Sequence, residues 1–154
     1  MRSTHEQDLV PAHVEWTPRL SVGVEEIDAQ HRELFRRIDL FLTALNERRA
    51  APELEPLVRY LGRYVRDHFG EEQRLMAFSG YAELGEHLEE HLFFERAYRE
   101  LANELSATGA TLDLAKRLVA LLVGWLERHI TVSDRRFGAY LERFRAGRSS
   151  TPSA

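Results

Sequence analysis

The chain has 154 residues, 44% of them hydrophobic, with 21 Lys plus Arg against 25 Asp plus Glu, 7 His and no Cys. That length suits one domain with a real core, and a formal net charge of −4 gives no electrostatic reason to expect a nucleic-acid partner or an anionic membrane. The lack of cysteine excludes disulfides, thiolate metal sites, iron–sulfur clusters and cysteine nucleophiles, so any metal must sit on nitrogen and oxygen, and histidine is about twice as frequent as in an ordinary chain of this length.

Residues Met1 to Leu20 carry charges and prolines throughout, with no apolar h-region for a secretory signal. They are expected to form an arm, residues 1–19, packed through Trp16 and Leu20. From Val24 to Asn46 the apolar residues Ile27, Leu34, Phe35, Ile38, Phe41, Leu42 and Leu45 recur at spacings of three and four, with His31 in the same stripe, which predicts an amphipathic helix. Pro52 and Pro56 both suit the start of a second helix, whose face reads Leu57, Leu61, Tyr64, Val65, His68, Leu75 and Met76. Ser79-Gly80 ends it, with Ser79 a candidate cap for a third helix over Tyr81 to Ser106. The fourth runs from Leu112 to Phe144, after Gly109 and Thr111, and residues 146–154 read as a flexible tail with nothing to bury.

Short connections leave consecutive long helices antiparallel. The predicted architecture is all-α, an up-down-up-down four-helix bundle over residues 20–145. The longest apolar run, Leu118 to Leu126, is about half of what a bilayer-spanning helix needs, so no membrane insertion and a cytoplasmic location are expected.

Five of the seven histidines fall inside the apolar stripes rather than on polar faces. His68 and Glu72 are four residues apart, as are His87 and His91, so each pair leaves its helix on one side. His129 is followed by Asp134, and His31 stands alone on the first helix. A single histidine on an apolar face is more often a hydrogen-bonded core residue than a ligand, and one His-x-x-x-Glu among many glutamates is open to ion pairing. His-x-x-x-His is more telling, because two imidazoles in a dry core do not readily satisfy each other. Burying five imidazoles and two carboxylates with no metal would cost several kcal/mol for a poorly compensated carboxylate alone. His5 and His13 lie in the arm and are expected in solvent.

The fourth helix tests this reading. Five residues turn a regular α-helix through 500°, which would point Asp134 about 140° away from His129. A π-bulge or other distortion between Trp125 and Asp134 is therefore predicted, such bulges being frequent at functional sites.

The run His31, His68-x-x-x-Glu72, His87-x-x-x-His91, His129-x-x-x-x-Asp134 resembles the hemerythrin family, in particular its bacterial members. The flanking stretches Leu20–His31, His68-Phe-Gly-Glu-Glu72 with Leu75-Met76, and Trp125-Leu-Glu-Arg-His-Ile130 are similar to that family's. The resemblance implies a non-haem di-iron centre with an oxo or hydroxo bridge. One iron would take His87, His91 and His129, the other His31 and His68, with Glu72 and Asp134 bridging; Glu72 is preferred to Glu71 by its spacing from His68. The two-histidine iron is then one ligand short, the position implied for dioxygen. Five neutral imidazoles favour the ferrous state and a return path, so reversible oxygen binding, for transport, storage or delivery, is the expected function. Ile27, Phe69, Trp125, Leu126 and Ile130 are candidates for an apolar wall around the oxygen, each equally readable as core.

Two other classes compete. The same centre in an oxidase, peroxidase or nitric-oxide-handling enzyme would need an acid, base or substrate pocket, and none is legible. An oxygen sensor would need a partner protein to read it, whose identity the residues do not indicate.

Overall fold

The computed structural model describes residues 10–149. Helix α1 (Glu25–Asn46) buries Ile27, Leu34, Phe35, Ile38, Phe41 and Leu42 along one stripe, and its first turn carries Glu25, Glu26 and Asp28, which complement the helix dipole. Helix α2 spans 51–79: Ala51–Tyr64 is α-helical, Val65–Phe69 is π-helical and Gly70–Ser79 is α-helical again. Helix α3 is Leu84–Thr108. Helix α4 spans 112–149, with two π-helical segments, Leu121–Leu126 and His129–Asp134, between its α-helical ends. Connections of a few residues turn the chain back after each helix, giving an all-α four-helix bundle with no strand among the described residues.

Several local signals act differently from their sequence reading. Pro52 does sit in the first turn of α2, but Pro56 lies inside the helix, one turn further on. Ser79 caps nothing: its Oγ donates back to the Met76 carbonyl. Gly80, at φ 67°, takes the left-handed position that ends α2, and Tyr81 N–H bonds Met76 O at 3.0 Å. That closed turn delays α3 to Leu84 rather than Tyr81. Thr111 does cap, its side chain accepting from Leu114 N–H. At the other end α4 continues through Ser149, past Gly147, so 146–149 are helical rather than tail; 150–154 lie outside the described residues.

The segment before α1 is tied down by two devices. Trp16 and Leu20 pack against the core, together with Val10 and Val14, and Arg32 lies over the Trp16 ring at 5.1 Å. Buried Asp28 accepts hydrogen bonds from Ser21 Oγ at 2.5 Å and Val22 N–H at 2.9 Å. Val22 in turn lies directly on α4 at Gly138, where a Cβ would stand 1.9 Å from the Val22 carbonyl oxygen. Only glycine allows that approach. No helix among the described residues is long and apolar enough to cross a membrane.

Candidate metal centre

Each helix delivers its histidines by the spacing of its own turns. On α1, His31 falls in the stripe between Ile27 and Leu34. On α3, His87 and His91 are one regular turn apart, and their rings meet edge to face at 4.5 Å. Helices α2 and α4 are wound differently. The π-helical turn Val65–Phe69 lets consecutive residues His68 and Phe69 both face inward, at 3% and 2% exposure. The segment His129–Asp134 is π-helical as well, so the five-residue spacing closes onto one face and Asp134, 1% exposed, joins His129 inside.

The result is one buried cluster of seven side chains in two overlapping groups. Glu72, His87, His91, His129 and Asp134 form the first; His31, His68, Glu72 and Asp134 form the second. Both carboxylates belong to both groups, and each sends one oxygen each way. Glu72 Oε1 lies 3.1 Å from His87 Nε2 and 3.9 Å from His91 Nε2, while its Oε2 lies 2.9 Å from His68 Nε2. Asp134 Oδ1 lies 3.1 Å from His87 Nε2 and 3.0 Å from His129 Nε2, and its Oδ2 lies 3.1 Å from His31 Nε2.

These atoms are close without being satisfied. His31 Nε2, His68 Nε2, Glu72 Oε2 and both Asp134 oxygens are buried with no hydrogen-bond partner. Their lone pairs converge on shared points between them, at a cost of about 1–3 kcal/mol for each buried polar atom left unmade. His91 Nε2 and His129 Nε2 lie within hydrogen-bond distance of each other, at 3.1 Å. Nitrogen and carboxylate donors arranged so, with no sulfur, fit borderline divalent metals such as iron.

At His68 and His129 the outward ring nitrogen donates to an oxygen, which leaves the Nε2 lone pair facing inward. His129 Nδ1–H donates to Glu90 at 2.5 Å, and Glu90 also accepts from Ser133 Oγ at 2.8 and 2.7 Å. His68 Nδ1–H donates to Gln30 Oε1, whose amide is oriented by donating to Glu71 at 2.6 Å. At His91 the direction is reversed, the Gln73 Nε2–H donating to Nδ1 at 3.1 Å. Such outer partners fix tautomer and ring angle. None of Gln30, Gln73, Glu90 and Ser133 lies on an apolar stripe, so no periodic signal marked them. His31 Nδ1 is buried with no partner.

Electrostatics follow from this crowding. Burial opposes ionisation of Asp134, but His129, His31 and His87 hold its carboxyl well below the usual carboxylate range. Burial and the Asp134 charge push Glu72 up, and His68 and His87 outweigh them to leave it lowered. Burial pulls His87 and His129 down, yet the two carboxylates, with Glu90 on His129, raise them to about 9 and about 10. Burial drops His91 to about 3, outweighing the Glu72 carboxylate 3.9 Å away.

Of the expected wall residues, Ile27, Phe69, Leu126 and Ile130 are buried and Trp125 is partly buried. Phe69 stacks on His91 with centroids 3.8 Å apart, and Trp125 stacks on His129 at 4.5 Å. Glu71 stays outside, bonded to Gln30. His13 is exposed beside Asp39, at 3.2 Å, and His5 lies outside the described residues.

The family model described as "Hemerythrin HHE cation binding domain" matches residues 22–141. The chain belongs to the hemerythrin family. Hemerythrin domains hold a di-iron centre, and the buried His/Glu/Asp cluster here is able to hold metal. Among relatives, a bacteriohemerythrin of Pseudomonas paraeruginosa is 31% identical over 123 residues, 80% of this chain and 78% of its own. A bacteriohemerythrin of Stenotrophomonas maltophilia is 27% identical over 132 residues, 85% and 81% of the two chains. A myohemerythrin of Riftia pachyptila is 29% identical over 125 residues, 81% and 91%.

Proposed function

We propose that this chain binds dioxygen reversibly at a pair of irons, acting in oxygen transport, storage or delivery rather than as an enzyme. In this reading His87, His91 and His129 hold one iron, His31 and His68 hold the other, and Glu72 and Asp134 span both. The observation that supports it best is the division of the cluster into three-imidazole and two-imidazole groups that share both carboxylates, one oxygen to each side.

When bound, the iron pair supplies electrons that pass to dioxygen and return. The protein's own contribution is positional and electrostatic. Five imidazoles against two carboxylates favour the ferrous state. The His31/His68 side offers one imidazole fewer than its neighbour, which leaves room there for an external ligand. Glu90, Gln30 and Gln73 hold rings so that Nε2 faces inward. Ile27, Phe69, Trp125, Leu126 and Ile130 are proposed as the wall that keeps water out, and with it the protons that would make oxygen binding irreversible.

The test is to load the metal-free protein with ferrous iron under nitrogen, admit air, remove it, and follow the visible spectrum. A coloured adduct that bleaches on deoxygenation and returns over repeated cycles is expected; immediate oxidation that no deoxygenation reverses would contradict the carrier reading.

A further inference from the structure

The outer face of α3 is unlike the other surfaces of the bundle. Leu92 and Phe93 stand side by side in solvent, 45% and 59% exposed. Some charges elsewhere on the bundle pair within the chain, as Glu95 does with Arg99 at 2.7 Å and Glu33 with Arg36 at 2.8 Å. The side chains of Glu89, Arg96 and Glu100, which line a shallow groove with Leu92 and Phe93, make no hydrogen bond or ion pair among the described residues.

The order of these residues has a symmetry. Glu89 and Arg96 are seven apart, two turns of helix, so they lie on one line of the surface about 10.5 Å from each other. Midway between them is the Leu92–Phe93 bond. A two-fold axis through that point, perpendicular to α3, carries Glu89 onto the position facing Arg96 of a second copy, and Arg96 onto the position facing Glu89. The same operation sets Leu92 of each copy against Phe93 of the other. It also places Glu100 over Gly85, an exposed residue with no heavy atom within 4 Å of where a side chain would stand. A parallel arrangement in register would put Glu89 on Glu89 and Arg96 on Arg96, a like-charge contact at both ends.

We propose that this face is an isologous interface, on which two copies of the chain pair through antiparallel α3 helices about a two-fold between Leu92 and Phe93. Each Glu89–Arg96 contact is then made twice and flanks an apolar centre, the ordinary anatomy of a small interface. Because one helix face buries less than the roughly 1,200 Å² of a standard interface, the pair is weak, dissociating on the order of 100 µM. Its strength falls with added salt, since both ion pairs lie at the rim. The interface lies on the helix that carries His87 and His91 and leaves the cluster itself untouched.

Sedimentation velocity across a concentration series at low salt tests this. The wild-type chain is expected to shift toward twice the monomer mass as concentration rises through ~100 µM. Glu89→Arg alone and Arg96→Glu alone each replace two attractive contacts by two repulsive ones, and each should weaken self-association at least tenfold. Mixing the two single variants in equal amounts restores both attractive contacts between unlike copies, and the mixture should associate within about threefold of wild type. Phe93→Ser should weaken association about tenfold while leaving helicity and metal content unchanged. The proposal is overturned if the wild type stays monomeric to ~1 mM, if either charge reversal associates as well as wild type, or if the folded variants fail to associate when mixed.

Discussion

The four helices divide into two kinds. Helices α1 and α3 are regular throughout and bring only imidazoles: His31 from one, His87 and His91 from the other. Helices α2 and α4 contain π-helical turns, at Val65–Phe69 and His129–Asp134, and each brings an imidazole and a carboxylate. Both shared carboxylates thus come from helices with widened turns. The wide turn at His129–Asp134 lets two residues five apart face inward together, which a regular helix forbids. At Val65–Phe69 it turns a ligand candidate and its apolar neighbour, His68 and Phe69, into the core side by side. The regular helices hold single donors in place; the irregular ones supply the groups that join the two halves of the cluster.

That contrast is broken most strongly by removing a shared carboxylate. Asp134→Ala is expected to abolish loading of both irons, because the residue belongs to both groups, while His91→Ala on the regular helix should bring the content from two irons to one or fewer. Iron per chain, measured after anaerobic loading and desalting, checks both; retention of two irons in either variant would refute the ligand set. Next in size is the link between the two kinds of helix. Glu90 on regular α3 holds His129 on the π-helical turn, so Glu90→Gln should weaken ferrous affinity about 10- to 100-fold in a chelator competition.

The metal-free protein should also depend on pH in a defined sense. His87 and His129 are raised to about 9 and about 10 in the folded state, above their ordinary value near 6.5. Their stabilising contribution is therefore complete below pH ~6.5 and is lost as pH rises through their folded values. Urea midpoints of the metal-free protein should fall between pH 7 and 10, and loading with metal, which requires neutral rings, should remove that trend and release protons.

The smallest effects separate two glycines of α4. Gly138→Ala forces a Cβ into the Val22 carbonyl and should destabilise by about 1–3 kcal/mol. Gly124, in the π-helical turn Leu121–Leu126, has nothing within 4 Å of an added Cβ, and Gly124→Ala should stabilise by about 0.5–1 kcal/mol. Thermal melts of the two variants distinguish them.

Much of this was legible in the residues because it is periodic. Apolar stripes at three and four located four helices, and five histidines within those stripes, with Glu72 and Asp134 spaced from two of them, pointed to the cluster. The misfit of His129 and Asp134 to a 3.6-residue repeat even announced the irregular turn. The turn at Val65–Phe69 gave no such warning, since His68 and Glu72 are four apart and look regular. Asp28 was hidden for another reason. It is a buried carboxylate that serves the arm, through Ser21 and Val22, and nothing periodic links a helix residue to a strap before it. Ser79 failed as a cap because Gly80 closed the helix first, a competition that depends on backbone geometry rather than on composition.

The central claim is that a single cluster holds two irons through shared carboxylates. Anomalous diffraction at the iron edge, from crystals of the ferrous-loaded protein, tests it most directly. Two peaks are expected, each within coordination distance of both Glu72 and Asp134, one beside His87, His91 and His129 and the other beside His31 and His68. A single peak, or a second peak away from either carboxylate, would contradict the account.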